Sequence, residues 1–254
     1  MFYISHFKLA MFLECSRRYK FHYVDGLAEQ FKVTKPHFTM GENVHVTLRE
    51  FFEKLKPEER TPEKLEDILR KVWKKNRLGF KDKEEERKYG LAAIEMLKKF
   101  YQLEDIKEQP IELEKMHKLL IDKEIVLQGK IDRIDKEGDK IKIIDYKTGT
   151  EREEGDTLQL IIYSIIASKK LDKKVGQASY LYLKSGNKKT IEPSEKDLEN
   201  GILEIKGIVD MINKEEDFEP NINKFCSWCE YLSICPYKEE IEANKGDFVE
   251  EAPF

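Results

Sequence analysis

Over the first hundred positions the apolar residues recur at three- and four-residue steps, the spacing of helices that bury one stripe. Residues 5 to 22 open with Ser5, a good N-cap, and carry Leu9, Phe12, Leu13 and Tyr19 at such intervals, so one helix is predicted there. Val44, Leu48, Phe51, Phe52 and Leu55 predict a second over about 39 to 55. Thr61 and Pro62 supply an N-cap and a first-turn proline for a third, reaching about Arg77. A fourth, about 82 to 103, runs from the charged DKEEERK into the amphipathic LAAIEMLKKFYQL. After Pro110 the pattern turns to alternation and β-branched runs, which predict strands at about 111 to 118, 124 to 135, 140 to 147 and 177 to 184. A helix at 156 to 168 interrupts them, and its sequence TLQLIIYSIIAS is apolar nearly all round, which suits burial against a sheet. A last helix covers about 194 to 213.

These elements read as one α/β domain spanning 1–254: a helical lobe (1–109), a core of mixed sheet flanked by helices (110–213), a cysteine-bearing segment (214–238) and an acidic tail (239–254) expected to fray. No repeat or low-complexity linker divides it. At 254 residues the chain can bury a core without disulfide staples. Charged residues make up 38%, and 46 Lys and Arg stand against 50 Asp and Glu, a net of −4, so no hold on nucleic acid by bulk basicity is available and any grip must be local. The Lys- and Glu-rich surface fits a heat-adapted protein and a merely solvated face equally well. The apolar start is broken by His6, Lys8 and Glu14, and no run approaches the ~18 apolar residues of a membrane helix, so a cytoplasmic protein without a signal peptide or membrane partner is expected. In a reducing compartment the four cysteines then read as candidate metal ligands rather than disulfides.

The segment GKIDRIDKEGDKIKIIDYKTG holds two strand-like runs around Gly138 and Asp139, and a Gly in the first position of a two-residue loop fits a type II′ hairpin. That register sets Asp132 opposite Asp145 on one face, with Lys147 two residues further along. Facing carboxylates in a half-buried sheet repel unless a cation lies between them, which suggests a divalent site; hard oxygen ligands favour Mg²⁺ or Mn²⁺. Lys147 would position an attacking water or offset charge at a phosphorus centre. The plain alternative is three solvent-facing residues on a charged hairpin. His45, beside the apolar stripe of the second helix, taken alone fits a core histidine as well as a ligand. Gln159 and Tyr163 stand four apart and so share one face of an apolar helix, where buried polar groups need partners.

Cys15 is followed far downstream by Cys226-x₂-Cys229-x₅-Cys235-Pro236. One ligand plus three is atypical of structural zinc, which favours paired knuckles, and thiolates with a Cys-Pro step suit a [4Fe–4S] cluster. Zinc and free thiols remain the alternatives. Such a cluster would staple the first helix to the C-terminal segment.

The strings GKIDRID and IIDYKTG resemble the core of the PD-(D/E)XK nuclease superfamily, in particular its RecB-like branch. Upstream, Gly41-Glu42-Asn43-Val44-His45-Val46-Thr47-Leu48 resembles that branch's G-x-x-x-H-x-x-L helix, and downstream Gln159-Leu160-Ile161-Ile162-Tyr163 resembles its Q-L-x-x-Y helix. The split of the cysteines resembles the iron–sulfur variant found in AddB and in CRISPR-associated RecB-like exonucleases. The resemblance covers about residues 5 to 236 and implies a restriction-endonuclease-like α/β fold: a mixed central sheet flanked by helices, an N-terminal helical lobe and a cluster-bound C-terminal segment.

Further implications concern the site. His45, Asp132 and Asp145, completed by the main-chain carbonyl of Tyr146, would hold Mg²⁺ or Mn²⁺. Lys147 would assist the nucleophile, Gln159 and Tyr163 would support catalytic residues and DNA phosphates, and Cys15, Cys226, Cys229 and Cys235 would bind the cluster. A glutamate on the strand before the hairpin is also usual, Glu114 being the first choice and Glu112 the competitor. The implied activity is metal-dependent hydrolysis of DNA, preferably single-stranded, by an exonuclease that trims ends before CRISPR spacer integration or works in repair beside a separate helicase. CRISPR integration proteins or that helicase would be the protein partners. A non-catalytic DNA-binding or assembly module, stapled by iron–sulfur or zinc, is the rival reading.

Overall fold

The computed structural model describes residues 1–151 and 157–244. The N-terminal strand β1 (Phe2–Ile4) leads into α1 (His6–Glu14), α2 (Ser16–Tyr19) and a π-helical turn at Lys20–Val24. Three helices follow, α3 (Pro36–Lys54), α4 (Pro62–Lys75) and α5 (Lys83–Leu103). Then come β2 (Glu112–Leu120), β3 (Ile125–Glu137), β4 (Lys140–Lys147), α6 (Leu158–Leu171), β5 (Val175–Tyr182), β6 (Lys188–Ile191), α7 (Glu195–Lys214) and α8 (Lys238–Ala243).

One six-stranded mixed sheet runs through the molecule. Its long strand β3 gives one edge to β2, antiparallel from Val126 to Ile134. The opposite edge is divided: β1 pairs in parallel with Ile125–Leu127, and β4 pairs antiparallel with Arg133–Glu137. The carboxyl ends of β1 and β4 therefore point at each other across residues 128 to 132 of β3. Helix and loop starts converge there, as at the strand ends of other open α/β sheets. β5 extends the sheet parallel to β4, and β6 closes it antiparallel.

Alternation along the strands sorts side chains into two apolar layers. Ile141 and Ile143 join Leu9, Leu160, Ile162, Ile205 and Val209 beneath α1, α6 and α7. Ile144 and Tyr146 join Val44, Leu48, Phe51, Leu69, Leu97 and Phe100 beneath α3, α4 and α5. The sheet is thus covered on both faces, the restriction-endonuclease-like arrangement expected.

Four expectations need correction. The single helix over 5 to 22 breaks at Cys15, which is extended at φ −161° and ψ 109°. The Glu14 carbonyl at that break accepts from the Asn221 and Asn223 side-chain amides, and Ser16 donates to the Glu219 carbonyl, so long-range bonds take over from helical ones. α3 starts at Pro36, three residues early, because proline there needs no helical partner for nitrogen. β1 and β6, of three and four residues, are too short to carry a periodic signal. The acidic tail is helical over Lys238–Ala243, anchored by the buried Ile241; the rest of it, from residue 245, lies outside the described residues, as does residue 156 of the helix predicted at 156 to 168. Among the described residues no helix is long and apolar enough to cross a membrane.

Candidate active site

The β3–β4 hairpin turns on Gly138, whose φ of +60° lies in the left-handed region that glycine tolerates. Pairing runs from Glu137↔Lys140 to Arg133↔Ile144, so Asp132 and Asp145 are the next pair in register, beyond the last ladder rung. Both are buried, at 5% and 3% exposure. The Tyr146 backbone N–H donates to Asp132 Oδ2 at 2.8 Å, fixing that carboxylate and leaving Oδ1 for other partners.

Helix α3 brings in His45. Its Nδ1 is 3.0 Å from Glu114 Oε1 and 3.4 Å from Asp132 Oδ1. The helix can approach because residue 41 is glycine: a Cβ there would sit 3.0 Å from Thr148 Oγ1, just past the end of β4. Glu114 has φ +49°, left-handed backbone in a residue that is not glycine. That distortion opposite Asp132 separates two acids that plain alternation would put on one face. Glu112 turns to His117, 2.6 Å from its Nε2, and to Lys115, whereas Glu114 meets His45 and Lys130. Strained backbone of this kind persists only where surroundings hold it, and often marks function.

His45, Glu114 and Asp132 each offer a ligand atom, and the three atoms lie within 4.8 Å of one another. Burial works against charge on His45, but the Asp132 and Glu114 carboxylates outweigh it and push the imidazole up to about 10. Burial opposes the Glu114 charge too, yet the bonds from His45 and Lys130 hold its carboxyl below the usual range. One imidazole and two carboxylates are a donor set for a hard or borderline divalent cation.

Asp145 stands beside this group and is engaged by Lys147, with Nζ 2.7 Å from its Oδ2. Burial raises the Asp145 carboxyl; Lys147 opposes that, and the facing charge of Asp132 adds to it. Lys147 also donates to Gln159 Oε1 at 2.7 Å, and Gln159 Nε2 donates to the Tyr163 hydroxyl at 2.9 Å and, at 3.4 Å, to Asp145 Oδ1. The polar face of α6 therefore holds the Lys147 ammonium on Asp145. Gly129 makes room for it, since a Cβ there would lie 2.9 Å from Tyr163 Cε1. The Tyr146 ring points the other way, stacking edge-on against Phe100 with its hydroxyl toward Arg133.

A cavity of about 880 Å³ opens over the divided edge of β3 and runs along α1. His45, Lys130, Lys147, Gln159 and Tyr163 line one end, and Cys15, Cys226, Cys229 and Cys235 line it as well. The cysteine-bearing segment is held by side chains: Arg18 to Glu230 at 3.1 Å, His22 to the Tyr231 hydroxyl at 3.0 Å, and Lys35 to the Trp228 carbonyl at 3.1 Å. Burial pushes the Cys229 thiol up to about 12 and raises Cys226. The four cysteines line one cavity, and thiolates are soft donors of the kind that take zinc or iron.

Several charged and aromatic residues elsewhere on the chain have partners within the protein. Lys20 pairs with Asp25, Lys188 with Glu104, the Tyr101 hydroxyl donates to the Arg60 carbonyl, and Phe21 packs on Tyr231. Lys130 and Gly129 were not visible as site residues in the sequence, although both stand in the GKIDRID string.

A divided sheet edge carrying buried acids, a lysine and an imidazole is a class of site able to hold a divalent cation beside a mobile ammonium. Residues 3–236 match the family model of the PD-(D/E)XK nuclease superfamily, and the chain belongs to that superfamily; it is a nuclease. The crystal structure of a candidate exonuclease from Eubacterium rectale is similar in fold, with a TM-score of 0.55 and 15% identity over 90% of this chain and 87% of that one. The crystal structure of SSO0001 is similar at a TM-score of 0.46 and 15% identity, over 93% and 86%. No curated protein is significantly similar in sequence.

Proposed function

We propose that this nuclease is a DNA exonuclease of the RecB-like branch, hydrolysing phosphodiester bonds of single strands with Mg²⁺ or Mn²⁺ held by His45, Glu114 and Asp132, with Asp145 and the main-chain carbonyl of Tyr146 completing the ligand set. The observation that carries the reading is the convergence of the first three ligand atoms within 4.8 Å, beside the Lys147–Asp145 pair. When bound, the divalent ion supplies Lewis acidity at the phosphate and lowers the pKa of a coordinated water. The Lys147 ammonium, steered by Gln159, orients the attacking water and offsets charge that develops on phosphate oxygens. Tyr163 keeps Gln159 in place. Phe7, 56% exposed, lines the same cavity and would offer a ring on which an unpaired base can stack, which supports a single-stranded substrate.

Cys15, Cys226, Cys229 and Cys235 would hold a [4Fe–4S] cluster with a structural role, joining the break after α1 to the C-terminal segment. The setting would be end trimming before CRISPR spacer integration, or repair beside a separate helicase.

The test is cleavage of 5′- and 3′-labelled single and double strands with Mn²⁺, with chelator and Asp145→Ala as controls. Metal-dependent shortening from one end, lost in the variant, is expected. Intact substrate with both proteins would favour a binding-only module. Iron and acid-labile sulfide at about four each per chain would support the cluster; stoichiometric zinc would replace it.

A further inference from the structure

Lys130 sits two residues before Asp132 on β3, at the stretch of strand edge left between β1 and β4. Its side chain is 52% exposed, lines the cavity, and pairs with Glu114 Oε2, the carboxylate oxygen opposite the one facing His45. Among the described residues, the other long cations on the cavity wall are already engaged. Arg18 takes Glu14 and Glu230, and Lys147 takes Asp145 and Gln159. Lys130 is held by one ion pair, and its partner belongs to the proposed ligand group. A carboxylate shared with a divalent cation attracts an ammonium less, and the cation's charge repels it. A half-exposed lysine then has its flexible stem and three donors available to the cavity.

We propose that Lys130 is a substrate-positioning residue that binds a DNA phosphate next to the reacting one, and that it is available for this only when a divalent ion shares Glu114. The inference rests on the nuclease reading of the site and adds a coupling between ion and DNA that runs through one side chain. By linkage the coupling is reciprocal: DNA held by Lys130 favours the ion as much as the ion favours DNA.

The measurement is fluorescence anisotropy of a labelled oligo-dT with the full chain, titrated over a range of NaCl, in chelator and in Ca²⁺. Calorimetry with Ca²⁺ and Mn²⁺ is run on the same samples. A single-strand phosphate contact contributes about 0.7 to the slope of log affinity against log salt. Wild type and Lys130→Met should share one slope in chelator, whereas in Ca²⁺ the wild-type slope should be steeper by about 0.7 and its affinity several-fold higher. Lys130→Arg should behave as wild type, and Lys130→Met should bind Mn²⁺ at least as tightly, because nothing competes for Glu114. Equal slopes in both conditions would overturn the proposal, leaving Lys130 a stand-in counter-ion. A slope lowered equally in both would also overturn it, as general surface charge. Loss of Mn²⁺ binding or of the folded circular dichroism spectrum in Lys130→Met, with Lys130→Arg intact in both but no slope difference, would make the lysine structural. If wild type itself binds neither ion, the site reading fails, a result distinct from failure of the lysine alone.

Discussion

Gly129→Ala tests how the polar face of α6 is seated. The added methyl would lie 2.9 Å from Tyr163 Cε1, 3.2 Å from its Cδ1 and 3.3 Å from Ile166 Cδ1, all in the packed layer between β3 and α6. Overpacking of this kind costs about 1–3 kcal/mol. At about 2–4 °C per kcal/mol for a chain of this size, Tm should fall by roughly 2 to 12 °C. The ring can yield only by moving its hydroxyl from Gln159 Nε2, now at 2.9 Å, which loosens the hold on Lys147. The turnover rate should therefore drop while Mn²⁺ affinity stays, because His45, Glu114 and Asp132 are untouched. Urea unfolding, Mn²⁺ calorimetry and cleavage kinetics read the three quantities. On a Tyr163→Ala background the methyl has no ring to meet, so its stability cost should shrink or change sign. A Gly129→Ala protein that melts and cleaves like wild type would refute the reasoning.

Arg133→Met should destabilise by up to about 3–5 kcal/mol in urea unfolding, since Arg133 and Asp135 are fully buried and paired at 2.7 Å, and the change leaves the Asp135 carboxylate with Lys142 alone, at 3.4 Å. Cys229→Ser should lose iron, and hydrogen exchange should quicken together around residues 5–24 and 217–243, the two segments joined by Arg18–Glu230 and Ser16–Glu219. Because the facing carboxylates keep the proton on His45 up to about 10 without an ion, divalent binding must displace it, so affinity measured by calorimetry should rise with pH and level off near 10. In chelator the same raised imidazole gives stability that is whole below about 6.5 and lost as pH climbs through about 10, read by urea unfolding across that window.

The hairpin register was legible because a two-residue loop with Gly138 at positive φ leaves one pairing, and that pairing sets Asp132 against Asp145. The choice between Glu112 and Glu114 was not, since both share a parity, and only the left-handed backbone at Glu114 separates them. The break at Cys15 was hidden by apolar spacing that continues through Tyr19; partners two hundred residues away decide it. Lys130 was lost among 46 basic residues, and becomes distinctive only through what lies beside it. Gly41 and Gly129 stood in recognisable strings, but the reason for each is a close approach that no spacing shows.

Crystals soaked in Mn²⁺ and measured at the manganese edge test the central claim most directly. The account predicts an anomalous peak bonded to His45, Glu114 and Asp132 that disappears in Asp132→Ala. A well-ordered site without the peak, or a peak held by other residues, would contradict it.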